Sequence, residues 1–284
     1  TDEKIDLMRA AGVNRLSIGV QTFSDRGRKL LGRTGSGAYV KERIEAIRER
    51  FRGTIGIDII YSYPGQTIDE IDEDTEAIRA LDVDSVSFYS LMLHEGSRLH
   101  GEIASGTLAF PRTVETDRTL HHRFCENMYR HGFELLELTK LVRPGRDTYR
   151  YIRLRYDGGD LLPIGSGAGG SIVGHNIYRM SSDRILISPV DPTYERYHRV
   201  LGHLQFGQYD SPILASLCGF GSEERIVSLL ESYEYDGYLE RKTAVSWELT
   251  NEGIFYGNNL AVDFLGQVVR QDYTLEIPRP ATHA

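Results

Sequence analysis

Cysteine is nearly absent from this chain of 284 residues: there are two, Cys125 and Cys218, far apart and in no spacing that suits a set of metal ligands. That excludes a disulfide framework and a cysteine-based metal site, and leaves two small side chains expected to be buried. Long apolar runs are missing too. No stretch of about 18 apolar residues, as a membrane-spanning helix would need, is present. The first residues, TDEKIDLMRAAG, read as a charged amphipathic helix rather than a secretion signal. There is no basic excess either. The net charge is −8, and residues 205–284 hold 12 acidic against 5 basic side chains, which is −7 of that total. A broad nucleic-acid footprint is therefore not expected, least of all in the C-terminal part. With 40% hydrophobic residues the chain can bury a sizeable core, as one large domain or two ordinary ones. The expectation is a cytoplasmic globular protein with no membrane span and no nucleic-acid partner.

What is present is a rhythm. In GTIGIDIIYSYPGQT, residues 53–67, Ile55, Ile57 and Ile59 fall on one face of a strand while Gly56, Asp58 and Ile60 fall on the other. Pro64-Gly65 ends the strand, and Thr67 with Glu70 three residues later fits a capping box for a helix carrying Ile68, Ile71, Ile78 and Leu81. Residues 1–11 read as a helix closed by Gly12, and 15–21 as a strand with Leu16, Ile18 and Val20 opposite Ser17, Gly19 and Gln21. Ser24 caps a short helix that Gly32 closes, 39–51 is a second helix, and 85–91 a third strand. Strands that alternate with helices at roughly 30 to 40 residues have the βαβ rhythm of a parallel sheet. In all three strands the small and polar residues share one parity: Ser17, Gly19, Gln21; Gly56, Asp58; Ser85, Ser87, Tyr89. A sheet buried on both faces would be apolar throughout. The parity thus predicts a barrel or half-barrel with a ligand inside, Gln21, Asp58 and Tyr89 converging at the C-terminal strand ends.

Past His94 the rhythm changes. A helix is expected over 115–131, a strand over 133–140, a turn at Arg143-Pro144-Gly145 and an irregular β region over 149–187 containing LLPIGSGAGGSIVGHNIY. Gly165, Gly167 and Gly170 satisfy a G-x-G-x-x-G pattern, but residues 171–180 do not read as a helix, so a dinucleotide site is not expected. A tight turn, or close approach of bare backbone to a flat ligand, fits better. A helix over 191–203 comes next, and then helix 223–233, strands 238–241 and 245–249, and helix 251–267, a winged-helix order without a basic recognition face. The expected division is a partial barrel over 1–110, a helix and β region completing the substrate site over 111–204, and a winged-helix-like domain over 205–284.

Taken together, GVNRLSIGVQTF, LLGR, IDIIYSYPGQT, VSFYSL and GSGAGG resemble the radical S-adenosylmethionine enzymes of the oxygen-independent coproporphyrinogen III oxidase-like (HemN/HemW-like) family. That family includes heme chaperones and anaerobic heme-degrading enzymes, and the resemblance runs from residue 1 to about residue 178, with the winged-helix-like end matching the family's C-terminal domain. It implies an α/β fold, here the C-terminal half of a (β/α)6 partial barrel, with a [4Fe-4S] cluster and S-adenosylmethionine cleaved to a 5′-deoxyadenosyl radical. By position, Gln21, Arg33 in the LLGR-like turn and Asp58 match residues that contact S-adenosylmethionine. Tyr89 shares their face. Ser90, the next residue, and Gly169, in one loop with Gly167, match backbone positions near a second S-adenosylmethionine. An amide, a guanidinium and a carboxylate suit the ribose and amino-acid ends of a zwitterion.

The family's CxxxCxxC motif does not occur here, so the resemblance implies cluster ligands upstream and a chain that is inactive alone. No metal ligand and no catalytic residue is assigned within it. The PIGSGAGGSIVG run resembles the heme-degrading branch, which transfers a methyl group and opens the porphyrin ring, whereas residues 146–151, RDTYRY, depart from the chaperones' HNxxYW-like motif. Coproporphyrinogen oxidation and non-catalytic heme carriage are the alternatives. A porphyrin or heme substrate and an electron donor such as flavodoxin or ferredoxin are the implied partners. His94 and His175 could reach a barrel mouth as heme ligands, although histidines at strand ends are more often hydrogen-bonded or solvated.

Overall fold

Strands with one aliphatic parity need helices over that face, and the first unit supplies them. The structure, a computed structural model, describes residues 1–219 and 221–269. Its first unit, Thr1–Thr148, runs α1 (Asp2–Ala10), β1 (Arg15–Gln21), α2 (Asp25–Leu30), α3 (Gly37–Arg50), β2 (Thr54–Tyr61), α4 (Ile68–Ala80), β3 (Ser85–Ser90), α5 (Arg98–Ala104), α6 (Val114–Arg130), β4 (Glu134–Glu137) and β5 (Lys140–Val142). The sheet order is β1-β2-β3-β5-β4, with β1 to β3 parallel and β5 antiparallel to both its neighbours. Ile55, Ile57 and Ile59 are 0% exposed and share a core with Val86 and Phe88 of β3, Ile71 and Ile78 of α4, and Phe124 and Met128 of α6. Helix starts obey the local chemistry. Ser24 accepts from the Gly27 N–H, and Thr67 and Glu70 exchange both bonds of a capping box.

Two expectations change here. The strand expected over 133–140 is a hairpin: the chain reverses at Leu138-Thr139 and returns as β5 along β3, because Leu138 and Leu141 are both drawn into the interior. The boundary expected at residue 110 falls inside this unit, since α6 packs on α4 and the hairpin extends the same sheet. Helix α5 was not expected at all.

The second unit, from Tyr149, holds α7 (Arg150–Tyr156), β6 (Gly169–Ile172), β7 (His175–Arg179), β8 (Ile185–Pro189), α8 (Pro192–Gln205), β9 (Tyr209–Asp210), α9 (Ser211–Cys218), α10 (Glu223–Tyr235), β10 (Leu239–Arg241), β11 (Ser246–Leu249), α11 (Asn251–Phe255) and α12 (Gly257–Phe264), with a π-helical turn over Leu265–Val269. β6, β7 and β8 form one antiparallel sheet, and β9 joins the β10–β11 hairpin in another. The expected order of helix, two strands and helix is present in α10 to α11. Helices α7 and α9 were not expected, and the helix expected over 251–267 is broken at Tyr256. The boundary expected at residue 204 falls within α8, whose Val200 and Leu204 belong to the core around Trp247, Leu230 and Phe264. Residues 270–284 of the expected last domain lie outside the described residues. No described helix is long and apolar enough to cross a membrane.

One buried acid marks how the first unit is held. Asp74 of α4 is 0% exposed, and its Oδ1 accepts from the Phe23 N–H at 2.6 Å and the Thr22 hydroxyl at 3.1 Å. Its Oδ2 has no partner among the described residues. Burial pushes the carboxyl from 3.8 up to about 7. A folded state that keeps a proton the unfolded chain has lost is destabilised as pH rises from about 4 to about 7, and the loss is complete above that. Asp74→Asn keeps an acceptor and cannot ionise. The melting temperature of the variant should therefore exceed that of the parent at pH 8 by several degrees, with the difference closing near pH 4. A variant less stable than the parent at both pH values would show that the carboxylate itself is required.

Candidate cofactor site on the polar face of the sheet

The register that buries the isoleucines lines up the opposite parity. Gly19 pairs with Asp58, Asp58 with Ser87 and Ser87 with Lys140, so one row crosses four strands. Ser17 donates its hydroxyl to Asp58 at 3.2 Å. Lys140 is only 2% exposed and donates to Ser87 Oγ; burial lowers the pKa of its ammonium group. Nearer the N-terminal strand ends, Arg15 holds Asp147 through Nη2 at 2.8 Å and Nε at 3.3 Å, and the Ser85 hydroxyl donates to the same carboxylate at 2.6 Å. A Cβ at Gly56 would lie 2.8 Å from Ser85 Oγ and 3.4 Å from Arg15 Nη2, so glycine makes room for that cluster. Tyr89 keeps its phenol proton more firmly than usual, chiefly through burial and then through the charges of Asp58 and Glu137.

The end of β1 is strained. Gln21 sits at φ 75°, and the β1–β2 register shifts between Gly19 and Gln21, which makes the position a bulge. A Cβ at Gly19 would lie 2.8 Å from Gln21 Nε2, so the carboxamide folds back over the bare glycine and onto the polar face. Arg28 of α2, 5% exposed, clamps the bulge. Its Nη1 donates to the Val20 and Thr22 carbonyls at 2.9 and 3.0 Å, Nε to Gly35 O at 2.8 Å, and Nη2 to Thr34 O at 2.7 Å. Asp74 fixes the next two residues, Thr22 and Phe23. The end of β2 repeats the device, with Ser62 at φ 59° and its N–H donating to Gln66 Oε1 at 2.6 Å. A non-glycine residue at positive φ costs about 1 to 3 kcal/mol, and such strain clusters at functional sites.

Of the residues expected in the site, Gln21, Asp58 and Tyr89 share this face. Gln21 and Tyr89 stand at strand ends, while Asp58 lies mid-strand. Arg33 is exposed just past α2 and makes no ion pair among the described residues. Ser90 has the opposite parity to Tyr89 and pairs with Tyr61 in the β2–β3 register, so its side chain is turned away from the polar face. Gly167, at φ 81°, donates its N–H to Arg179 O at 2.7 Å. Gly169 has no positive φ and lies in β6 opposite Tyr178, where a Cβ would meet that ring at an ordinary 3.7 Å. The close approach is at Gly170, whose Cβ would lie 2.0 Å from Leu161 O. Both Gly167 and Gly169 belong to the second unit, and their assignment to cofactor contact rests on the resemblance alone. His94 and His175 are exposed, the latter with Nδ1 3.0 Å from Val173 O. The sequence reading missed Arg28, Asp74 and Lys140; each acts across the fold or through main-chain carbonyls, which local spacing does not reveal.

The residues fit one of the two implied cofactors. A half-buried carboxylate bonded to Ser17, a carboxamide poised over a glycine and a protonated phenol form an acceptor–donor set for a polar zwitterion. An iron–sulfur cluster does not fit. Among the described residues no three His, Cys, Asp or Glu side chains stand together as ligands. Cys125 is buried in α6 with its thiol pKa pushed up, and Cys218 lies in the other unit.

Residues 1–78 match the sequence model described as the radical SAM superfamily. The chain is similar to the HemN/HemW-like radical SAM proteins. It is 28% identical over 269 residues to the anaerobilin synthase of Escherichia coli O157:H7, covering 91% of this chain and 60% of that protein. It is also 29% identical to the heme chaperone HemW of Lactococcus lactis, over 61% of this chain and 45% of the chaperone. The HemW of Bacillus subtilis is 25% identical, over 94% and 73%. The chain thus spans about half of the first two relatives. Among solved structures, the coproporphyrinogen III oxidase HemN from Escherichia coli superposes with a TM-score of 0.71 at 18% identity, over 93% of this chain and 67% of the oxidase. That likeness is one of fold: an α/β partial barrel, open rather than closed.

If Asp58 is a cofactor contact, Asp58→Asn should weaken binding of S-adenosylhomocysteine to the full-length protein about tenfold or more, the worth of a charged hydrogen bond. Because its hydrogen bonds among the described residues run to Ser17, at a surface position, the melting temperature should move by no more than about 2 °C. Calorimetry showing parental affinity in the variant would remove Asp58 from the site.

Proposed function

We propose that this chain is part of a radical SAM enzyme that acts on a tetrapyrrole, degrading heme anaerobically by methyl transfer and ring opening. The observation that carries the reading is the continuity of its likeness to anaerobilin synthase, which takes in both the polar-face strands and the glycine-rich segment. In this reading Asp58, Gln21 and Tyr89 hold S-adenosylmethionine on the polar face. Bound there, that molecule would supply a methyl group and, with a reduced cluster held by residues outside this chain, a carbon radical. The chain's own part is positioning. Asp58 accepts hydroxyl or ammonium hydrogens, Gln21 donates from Nε2, and Tyr89 offers a proton that burial makes hard to lose. Tyr63, Leu91 and Leu99, packed with Ile60 and Phe110, form an apolar cluster beside the strand ends. Gly167 and Gly169 would lend bare backbone to a flat substrate, with flavodoxin or ferredoxin as electron donor in the cytoplasm.

Heme carriage is the second reading, favoured by the likeness to Bacillus subtilis HemW, which also runs nearly the whole chain. Coproporphyrinogen oxidation is supported by fold likeness only.

The deciding experiment gives the full-length protein, reconstituted and reduced under anaerobic conditions, S-adenosylmethionine with either heme or coproporphyrinogen III. Heme should lose its Soret band and yield a methylated linear tetrapyrrole by mass spectrometry, while coproporphyrinogen stays intact. Release of carbon dioxide from coproporphyrinogen with heme untouched would overturn the proposal in favour of biosynthesis. Tight heme binding with no turnover of either substrate would overturn it in favour of carriage.

A further inference from the structure

A cavity lies wholly within the second unit, between α7, α8 and α9. Its volume is about 260 Å³. Each helix contributes one face: Arg153 and Tyr156 are three apart on α7, Arg199 and His203 four apart on α8, and Ile213 and Leu217 four apart on α9. Gly202 allows the closeness, since a Cβ there would lie 2.3 Å from the Tyr156 ring, which rests directly on the α8 backbone.

The walls differ in character. Tyr156, Phe206, Ile213 and Leu217 are apolar. Arg153 stacks its guanidinium over the Phe206 ring at 3.9 Å from the centroid, which sets the plane of the group. Arg199 is about half exposed, and its nearest carboxylate, Glu195, stands at a loose 3.8 Å. His203 is held neutral by burial, and its Nε2 is sealed from solvent without a hydrogen-bond partner among the described residues. Buried polar atoms are rarely left so. Asp157, at the end of α7, is the acidic group of the lining and lies exposed. Of the charged side chains that line the cavity itself, two are guanidinium groups and one is a carboxylate, while Arg155, Glu195 and Asp210 stand close by.

We infer that this cleft is a binding site for a small carboxylate with a single-ring apolar body, separate from the tetrapyrrole chemistry. Guanidinium groups in fixed orientation select carboxylates by paired hydrogen bonds. Apolar walls favour an organic anion over a bare inorganic one. The volume sits just below the range of about 300 to 1,000 Å³ that accepts drug-sized ligands, which admits one ring and excludes a tetrapyrrole.

The test is calorimetry on the full chain with benzoate and, separately, inorganic phosphate. Benzoate should bind one saturable site with a Kd of about 1 mM or tighter, a strength ordinary for so few atoms. It should also raise the melting temperature. Arg199→Met should weaken benzoate about tenfold or more. Leu217→Phe, which fills the cavity from its apolar wall and leaves the charges in place, should abolish binding while the unliganded variant melts no lower than the parent. No saturable benzoate binding by the parent would overturn the inference, as would parental affinity in Arg199→Met. Phosphate binding as tight as benzoate would overturn it too, because charge alone would then explain the site.

Discussion

The first unit depends on the register of β2. Ile55, Ile57 and Ile59 are fully buried, each supplying roughly 2 to 3 kcal/mol of transfer free energy, and a slip of one residue would expose all three. The same constraint decides where Asp58 points. Because the side-chain period of a strand is two, burying the isoleucines turns Asp58 to the other face and lines it up with Gly19 on one neighbour and Ser87 on the other. Core and candidate site are thus two consequences of one alternation, and a mutation cannot shift one without the other.

Strand ends are handled differently from strand middles. At Gln21 and Ser62 the chain takes up left-handed conformations that non-glycine residues avoid, and the surroundings hold them there. Arg28 spends its donors on four main-chain carbonyls, the kind of acceptor that backbone leaving a sheet would otherwise present to solvent. Asp74 takes the complementary N–H of Phe23 from a different helix. Such over-determined backbone holds Gln21 in place, so that on the proposed reading little reorganisation would be needed on binding.

What could be read from the sequence was what local chemistry writes. The strands β1 to β3 emerge from alternation, and α4 from Thr67 and Glu70, because each signal and its consequence lie within a few residues. The β4–β5 hairpin left no such mark, since its turn uses Leu138 and Thr139 in place of glycine or proline and its ends are stabilised by burial. Helix α7 starts at Tyr149 in a left-handed conformation with no side-chain cap, so nothing local announces it. Helix α9 does carry a local signal, Asp210 before Ser211-Pro212. The partnership of Asp74 with Thr22 spans 52 residues and exists only once α4 packs beside β1. The face of the candidate site was legible, and the groups that hold it in place were not.

Charge separates the two ligands that the proposed reaction needs. The polar face carries Arg15 and Lys140 against Asp58, Asp147 and Glu137, and Arg15 is already committed to Asp147. What is left to a ligand is near neutral or slightly negative, which suits a zwitterion with a sulfonium better than a ring edged with carboxylates. A porphyrin bound only to this face would set its propionates against Asp58 with little to offset them, since Lys140 is buried and bonded to Ser87. On the proposed reading, a tetrapyrrole would draw its cationic partners from elsewhere and leave the sheet to the cofactor.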